Sequence, residues 1–404
     1  MPELTVVADD LSGAAEAAAT FLLRTTRISV LLGHEPPPCG PADTVTPPRV
    51  VAVDTATRAL HPTDAADRIK SLLTGQPGGT VLKKVDSLLR GNLAAEVAAL
   101  HAALGATPVV ATALPGAGRI VVDGVLHVRG VPLHETGLWH AEERPAPRDL
   151  AAALAPLPTR TVPLTVVRGG PQNLARSLAA AIAAGLVPVC DAATDADLDT
   201  VCAAARLATE RPLLVGSAGL AAAAARGMAP DPDPAADPTD ALPAAGAVLV
   251  VAGTAAPTIR TQLAALARRA DVVLRLDPEA LLSDPAAAAH QVTARLDGAR
   301  CAAVTIDGRA EIRPHLATRL ATALAEAVAP STMDGRALVL TGGETARAVL
   351  DRLGVARLRP VAEREGAVLS HTDTGRVVVT RPGSFGGPTS LTDLVRIVLS
   401  EHVT

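Results

Sequence analysis

Residues 4–23 read LTVVADDLSGAAEAAATFLL. Five strand-forming residues come first, then two aspartates, then an alanine-rich stretch whose only charge is Glu16. A β-branched run that passes directly into helix formers is the unit from which open α/β sheets are assembled. The same order recurs through the first half of the chain. Strand-like runs follow at ISVLL (28–32), RVVAVD (49–54), TVLKKV (80–85), PVVATAL (108–114), LTVV (164–167), LVPVC (186–190) and PLLVG (212–216). Alanine-rich amphipathic stretches such as 91–104 and 171–184 lie between them. The pattern resumes with AVLVVAG (247–253), DVVLRL (271–276), AAVTID (302–307), ALVLTG (337–342) and VVVTRP (377–382). One segment breaks it: GRIVVDGVLHVRG (118–130) sets Asp123-Gly124 between two apolar runs, the signal of a type I′ turn. The expected fold is α/β, with two domains, each a mostly parallel sheet flanked by helices, and a β-hairpin projecting from the first.

The boundary is read from APDPDPAADPTDALPAAG (229–246), whose five prolines and four aspartates present no apolar face. This divides the chain into a domain over 1–228, a linker over 229–246 and a domain over 247–404. A length of 404 residues agrees with two cores. Two Phe, one Trp and no Tyr leave few rings for stacking bases, and a net charge of −4 offers no excess of cations for phosphates, so no nucleic-acid partner is expected. Every long apolar run is cut by Pro or charge before about 18 residues, which argues against a membrane partner. The opening MPELTVVADD lacks a cationic leader, and Cys39, Cys190, Cys202 and Cys301 are scattered without CxxC spacing. A reduced cytoplasmic location follows, with no metal-ligand pattern among the cysteines or the ten histidines.

Chemistry in such sheets gathers beyond the carboxyl ends of the strands. Asp9 and Asp10 occupy one such end, where one aspartate is expected to cap the following helix and an acidic oxygen is available as a base or a magnesium contact. TVLKKVDSLLRGN (80–92) supplies another. Lys83 and Lys84 are adjacent in a chain whose only other lysine is Lys70. On a strand they face opposite sides of the sheet and need anions there: Asp86, Asp9 or Asp10, or a bound anionic substrate. Arg90, just before a helix start, suits bidentate capture of a carboxylate. A purely structural salt-bridge cluster is the competing account. In the second half, three strands run into glycine turns: Gly253-Thr254, Gly342-Gly343 with Thr345 placed to help cap the next helix, and Pro382-Gly383-Ser384-Phe385-Gly386-Gly387. Each is an anion cradle in form, and three in one domain are what a nucleotide needs. No GKS/T completes a Walker A loop, and no GxGxxG follows the first strand, which disfavours a dinucleotide dehydrogenase.

Together, ADDLSGA (8–14), KKVDSLLRGN (83–92), ALPGAGRIVVDGVLHVRGVPLHET (113–136), LLVGSAGLAAA (213–223), GTAAPTIRTQ (253–262), GGETA (342–346) and PGSFGG (382–387) occur in the order seen in four-carbon acid sugar kinases, and nearly the whole chain resembles that family. The resemblance implies a first domain for a sugar acid, a second for ATP with Mg²⁺, and phosphorylation of the 4-hydroxyl of a compound such as threonate, erythronate or 3-oxo-tetronate. It places Asp9, Asp10, Lys83 and Lys84 at the reaction, and Asp86, Ser87, Arg90 and Arg119 around the substrate. Gly253, Thr254, Gly342, Gly343, Glu344, Thr345, Gly383, Ser384 and Gly386 fall to the nucleotide. The chain departs from the family pattern at Ala256, where a second hydroxyl is common. It also departs at His140-Ala141, in place of an Asp-Pro pair, and at Leu88, where Thr is common. A catalytically silent two-domain sensor of a sugar acid or nucleotide stays open at this point, and a homodimer is compatible with either.

Overall fold

The opening strand and helix form where the sequence puts them: β1 (Leu4–Ala8) is buried along its length, and α1 (Leu11–Ala19) buries all but Glu16. The computed structural model describes residues 2–33, 47–72, 79–140, 142, 144–231, 245–253, 257–307, 316–383 and 385–400. The chain divides into two units, Met1–Pro234 and Ala235–Thr404.

In the first unit the chain continues through β2 (Ile28–Leu32), β3 (Val50–Asp54), α2 (Pro62–Leu72), β4 (Thr80–Lys84), α3 (Leu93–Leu104) and β5 (Pro108–Ala111). A small antiparallel sheet follows, β6 (Arg119–Val122), β7 (Val125–Val128) and β8 (Val131–Pro132). Then come α4 (Leu150–Leu154), β9 (Thr159–Val162), α5 (Leu164–Val167), α6 (Pro171–Ala183), β10 (Val187–Cys190), α7 (Asp195–Ala208), β11 (Leu213–Gly216) and α8 (Ala218–Arg226). The main sheet has the order β2-β3-β1-β4-β11-β5-β10-β9, with every pair parallel. Register partners share a face, so Val7, Lys83 and Val215 look one way and Ala8, Lys84 and Gly216 the other. Small residues let the helices settle close to the sheet: a Cβ on Gly219 would come 2.5 Å from the Ala113 carbonyl. Burial of each Leu or Val in these strands contributes about 1.5–3 kcal/mol, and strands covered on both faces have few polar positions to lose.

LTVV (164–167), expected as a strand, is instead the single helical turn α5. Pro163 heads the turn and its carbonyl accepts from Val166 and Val167, at 2.9 and 3.1 Å. The strand at this edge is TRTV (159–162), just before the proline. The expected hairpin is present, with Asp123 (φ 52°) and Gly124 (φ 73°) both left-handed as a type I′ turn requires. It is tied down: the Asp191 carboxylate accepts from the Asp123 and Gly124 amides at 2.7 and 2.9 Å, and Val121 bridges Ala192. The first residues of the expected linker are also pinned to this unit. Asp231 accepts from Thr25 Oγ1 at 2.6 Å and from Arg49 Nη1 at 2.7 Å. Residues 232–244 of that segment lie outside the described residues.

The second unit runs β12 (Val248–Ala252), α9 (Pro257–Leu266), β13 (Val272–Leu276), α10 (Pro278–Ser283), α11 (Pro285–Leu296), β14 (Cys301–Ile306) and α12 (Ala317–Val328). It continues with β15 (Ala337–Thr341), α13 (Gly343–Arg352), β16 (Arg357–Arg364), β17 (Ala367–Thr372), β18 (Val377–Arg381) and α14 (Ser390–Val398). β13-β14-β12-β15-β18 are parallel, and β17 and β16 extend the sheet antiparallel. Val248, Val250 and Ala252 pack with Ile259 and Leu263 of α9 and with Leu391 and Val395 of α14 to form the core on one face. The β16–β17 hairpin was not read from the sequence, although its turn, Glu365 (φ 50°) and Gly366 (φ 78°), repeats the left-handed pair of the first hairpin. No helix among the described residues is long and apolar enough to cross a membrane.

Candidate active site

Three loops of the first unit, each leaving the carboxyl end of a neighbouring strand, meet around one arginine. After β1, Asp10 caps α1 by accepting from the Gly13 amide at 2.8 Å. After β3, the chain folds back so that the Thr57 and Arg58 amides donate to the Asp9 carbonyl at 3.0 and 3.2 Å. The Arg58 guanidinium then grips both aspartates. Its Nε and Nη2 lie 2.8 and 2.9 Å from Asp9, and its Nη1 and Nη2 lie 2.9 and 3.0 Å from Asp10. Asp86, in the loop after β4, stands 4.0 Å from the same guanidinium. The left-handed backbone of Ala56 (φ 49°), Leu89 (φ 62°) and Gly91 (φ 87°) bends these loops inward, and non-glycine residues in that region carry a conformational cost. A Cβ on Gly91 would sit 3.1 Å from Asp9 Oδ2.

Charge balance follows from these contacts. Burial pushes the Asp9 carboxyl up, but Arg58, with Lys83 and Lys84, outweighs it and holds the group below the usual range. Burial likewise opposes ionisation of Asp86, and the Arg90 hydrogen bonds and the Arg58 charge overcome it, leaving its pKa well down. Burial alone would lower Arg58; Asp10, Asp9 and Asp86 together raise it well above its ordinary value. Arg90 donates Nε and Nη2 to Asp86 at 2.8 and 2.9 Å, and its Nη1 takes no part in that pairing. Arg119, from the start of β6, donates Nη1 to Ser87 Oγ and leaves Nε buried without a partner. No carboxylate pairs with it among the described residues, and burial pulls its pKa down.

The two lysines take partners that the sequence reading did not name. They face opposite sides of the sheet, but neither meets Asp86, Asp9 or Asp10 in an ion pair. Lys83 is wholly buried, with Nζ 2.8 Å from Glu96 Oε2 on α3. The angle there is poor for a hydrogen bond, so the contact is chiefly one of charge. Glu96 also accepts from Thr57 Oγ1. Lys84 is buried with Nζ 3.0 Å from the Val85 carbonyl and 3.5 Å from Glu16 of α1. Arg58, Glu16 and Glu96 were all missed. Glu96 did leave a signal, since it lies on the Leu93-Val97-Leu100 stripe, where a carboxylate requires a buried cation. Leu88 is buried, and its carbonyl accepts from Trp139 Nε1 at 2.8 Å.

In the second unit the three glycine turns leave the carboxyl ends of β12, β15 and β18, which are neighbours in the sheet. Gly342 (φ 97°) takes the cap position of α13, and no side chain caps that helix, so Thr345 does not act as a cap. Thr345 instead packs on Gly253, where a Cβ would overlap its Oγ1. Glu344, in the first turn, accepts from Thr318 Oγ1. The amides of Gly343, Glu344 and Thr345 open the helix and have no intrahelical acceptor. Gly383 and Gly386 follow β18, with Gly386 at φ 88°. Thr254, Ala256 and Ser384 lie outside the described residues, as does Ala141. Among the described residues, no group of three or more His, Cys, Asp or Glu is arranged to hold a metal ion.

The two units thus carry one rim of paired charges and one rim of glycine-bordered amides, and the sequence matches divide in the same way. Residues 4–224 match the model of a sugar-binding N-terminal domain, and residues 249–391 that of a nucleotide-binding C-terminal domain. The chain is 36% identical to a D-threonate kinase of Cupriavidus necator, over 96% of this chain and 95% of that protein. It is 30% identical to a 3-oxo-tetronate kinase of Methylobacterium radiotolerans, over 95% and 96%. A solved structure from Salmonella typhimurium shares the fold with a TM-score of 0.77 at 22% identity, over 98% of this chain and 99% of that one. The chain belongs to the four-carbon acid sugar kinase family.

Proposed function

We propose that this protein transfers the γ-phosphoryl group of ATP to the 4-hydroxyl of a four-carbon sugar acid. D-threonate is the first substrate to test, with D-erythronate and 3-oxo-tetronate as its rivals. Relatives named for each of these acids support the class.

The observation that carries the reading is Arg119. Arg58, Arg90, Lys83 and Lys84 each have a carboxylate partner, whereas Arg119 contributes a half-buried guanidinium that, among the described residues, is bonded only to a hydroxyl. A substrate carboxylate supplies the missing charge, with the Nη1 side of Arg90 beside it. Asp10 is the base. Its side chain is 18% exposed against 3% for Asp9, so it is the one that a substrate hydroxyl can reach. As the hydroxyl oxygen attacks the γ-phosphorus, its proton passes to Asp10 and the bond to the departing ADP oxygen breaks. Arg58 keeps the Asp10 carboxylate in place, while buried Asp9 anchors Arg58 from the other side.

The amides opening α13 and the turn after β18 take the nucleotide phosphates. Mg²⁺ would be held by the Glu344 carboxylate, which is exposed in the first turn of α13, together with phosphate oxygens, since such ions keep several waters and need few protein ligands. When bound it neutralises phosphate charge.

ADP release measured with D- and L-threonate, D- and L-erythronate and 3-oxo-tetronate tests the reaction. Arg119→Ala should raise the sugar-acid KM roughly 10- to 150-fold, the loss of a charge-assisted contact, and leave the ATP KM nearly unchanged. Equal effects on both substrates, or no turnover of any tetronate by the parent protein, would count against the proposal.

A further inference from the structure

Two buried side chains converge on the backbone of the turn after β18. Gln262, on α9 and 1% exposed, donates Nε2 to the carbonyls of Phe385 and Gly386 at 3.1 and 3.0 Å. Arg381, the last residue of β18 and 2% exposed, donates to the Phe385 carbonyl and, at 3.1 Å, to Ser390 Oγ. Gln262 thus holds two consecutive carbonyls on the inner side of the turn, and Arg381 holds the first of them. A trans peptide is planar, so each carbonyl fixes the following N–H in the opposite direction. The Gly386 and Gly387 amides therefore point away from Gln262 and Arg381, and neither donates to any described group. Two adjacent outward N–H groups form a concavity for an anion. Gly386 is needed for this shape: at φ 88° a Cβ would lie 3.0 Å from Arg381 Nη2 and overlap Ser390.

Arg381 adds a second observation. It has no ion-paired carboxylate among the described residues; burial draws its pKa down and Glu365 only partly opposes this. A guanidinium sealed under a turn without a counter-charge is costly unless an anion arrives close by.

We infer that Gln262 and Arg381 are positioning residues that turn Phe385–Gly387 into a pair of amide donors for the phosphates of the nucleotide. The inference rests on the nucleotide reading of this unit and assigns the phosphates, not the base, to this turn. Gln262 binds no ligand itself in this account; it acts by fixing two peptide planes.

The test compares the full-length parent, Gln262→Met and Arg381→Lys for binding of ATP, ADP and adenosine by calorimetry, with sugar-acid KM as a second readout. Gln262→Met keeps volume and adds no charge, while releasing both carbonyls. ATP and ADP should bind roughly 10- to 100-fold more weakly to Gln262→Met, the range for one or two bonds to a charged group. Adenosine binding and sugar-acid KM should stay unchanged. Arg381→Lys, which keeps the charge and one donor, should lose less than Gln262→Met. Unchanged ATP affinity in Gln262→Met, or an equal loss for adenosine and ATP, overturns the positioning role while leaving the nucleotide site standing. A parent protein that binds neither ATP nor ADP overturns both.

Discussion

Replacing Glu96 with leucine leaves the Lys83 ammonium buried without its counter-charge. The Lys83 side chain is 0% exposed and that of Glu96 2%, so water cannot compensate for the missing partner. Removing one half of a buried pair costs about 3–5 kcal/mol, more than either surface ion pairs or single neutral hydrogen bonds contribute. For a unit of this size, each kcal/mol moves the melting temperature by about 2–4 °C, so Glu96→Leu should lower the transition of the N-terminal unit by about 6–20 °C. Lys83→Met combined with Glu96→Leu removes both charges and should recover most of that loss. A shortfall of about 1 kcal/mol should remain, because Thr57 Oγ1 still loses Glu96 as an acceptor and keeps only its contact with Thr55 Oγ1 among the described residues. Scanning calorimetry of the parent, the two single variants and the double variant provides the cycle. A double variant as unstable as Glu96→Leu, or a single variant that melts with the parent, would show that the pair is not the buried unit described.

Arg58→Ala removes the largest influence holding Asp9 down and leaves burial opposed only by Lys83 and Lys84. In the parent, the depressed Asp9 pKa gives stability that is present above the usual 3.8 and lost as pH falls through the lower folded value. In the variant that depression weakens, so the acidic limb of melting temperature should move to higher pH; a limb that stays in place would contradict the arrangement. Asp197 is lowered from 3.8 to about 2: burial pushes it up, and the Arg168 bond with the Ala193 and Thr194 contacts prevails. The melting difference between the parent and Asp197→Asn should therefore be full at pH 7 and close as pH falls from about 4 to about 2. Gly253→Ala forces a Cβ against Thr345, so the ATP KM should rise while the sugar-acid KM holds, and adding Thr345→Ala should restore ATP binding.

The alternation of strand and helix was legible because each strand is short, apolar and bounded by turn residues. The positions of Asp9, Asp86 and the three glycine turns followed from strand ends alone. LTVV misled because β-branched residues suggest a strand, while one proline ahead of them was enough to start a helical turn. Partners were harder to read than positions. Arg58 reaches Asp9 across 49 residues and Glu96 meets Thr57 across 39, separations set by sheet order that no local pattern carries. The lysine pair was conspicuous in the sequence, but its charges are met by Glu16 and Glu96, each a lone acid in an alanine-rich helix. Arg119 was legible only as part of a motif, and the structure adds that it lacks a carboxylate partner among the described residues.

Trp139 is the chain's single tryptophan, and there is no tyrosine. Its indole N–H is fastened to the Leu88 carbonyl, between Asp86 and Arg90. Intrinsic emission therefore comes from one place, beside the loop that carries the substrate-facing arginine. Titration with a sugar acid should change that emission without any label, and nucleotide alone should leave it nearly constant.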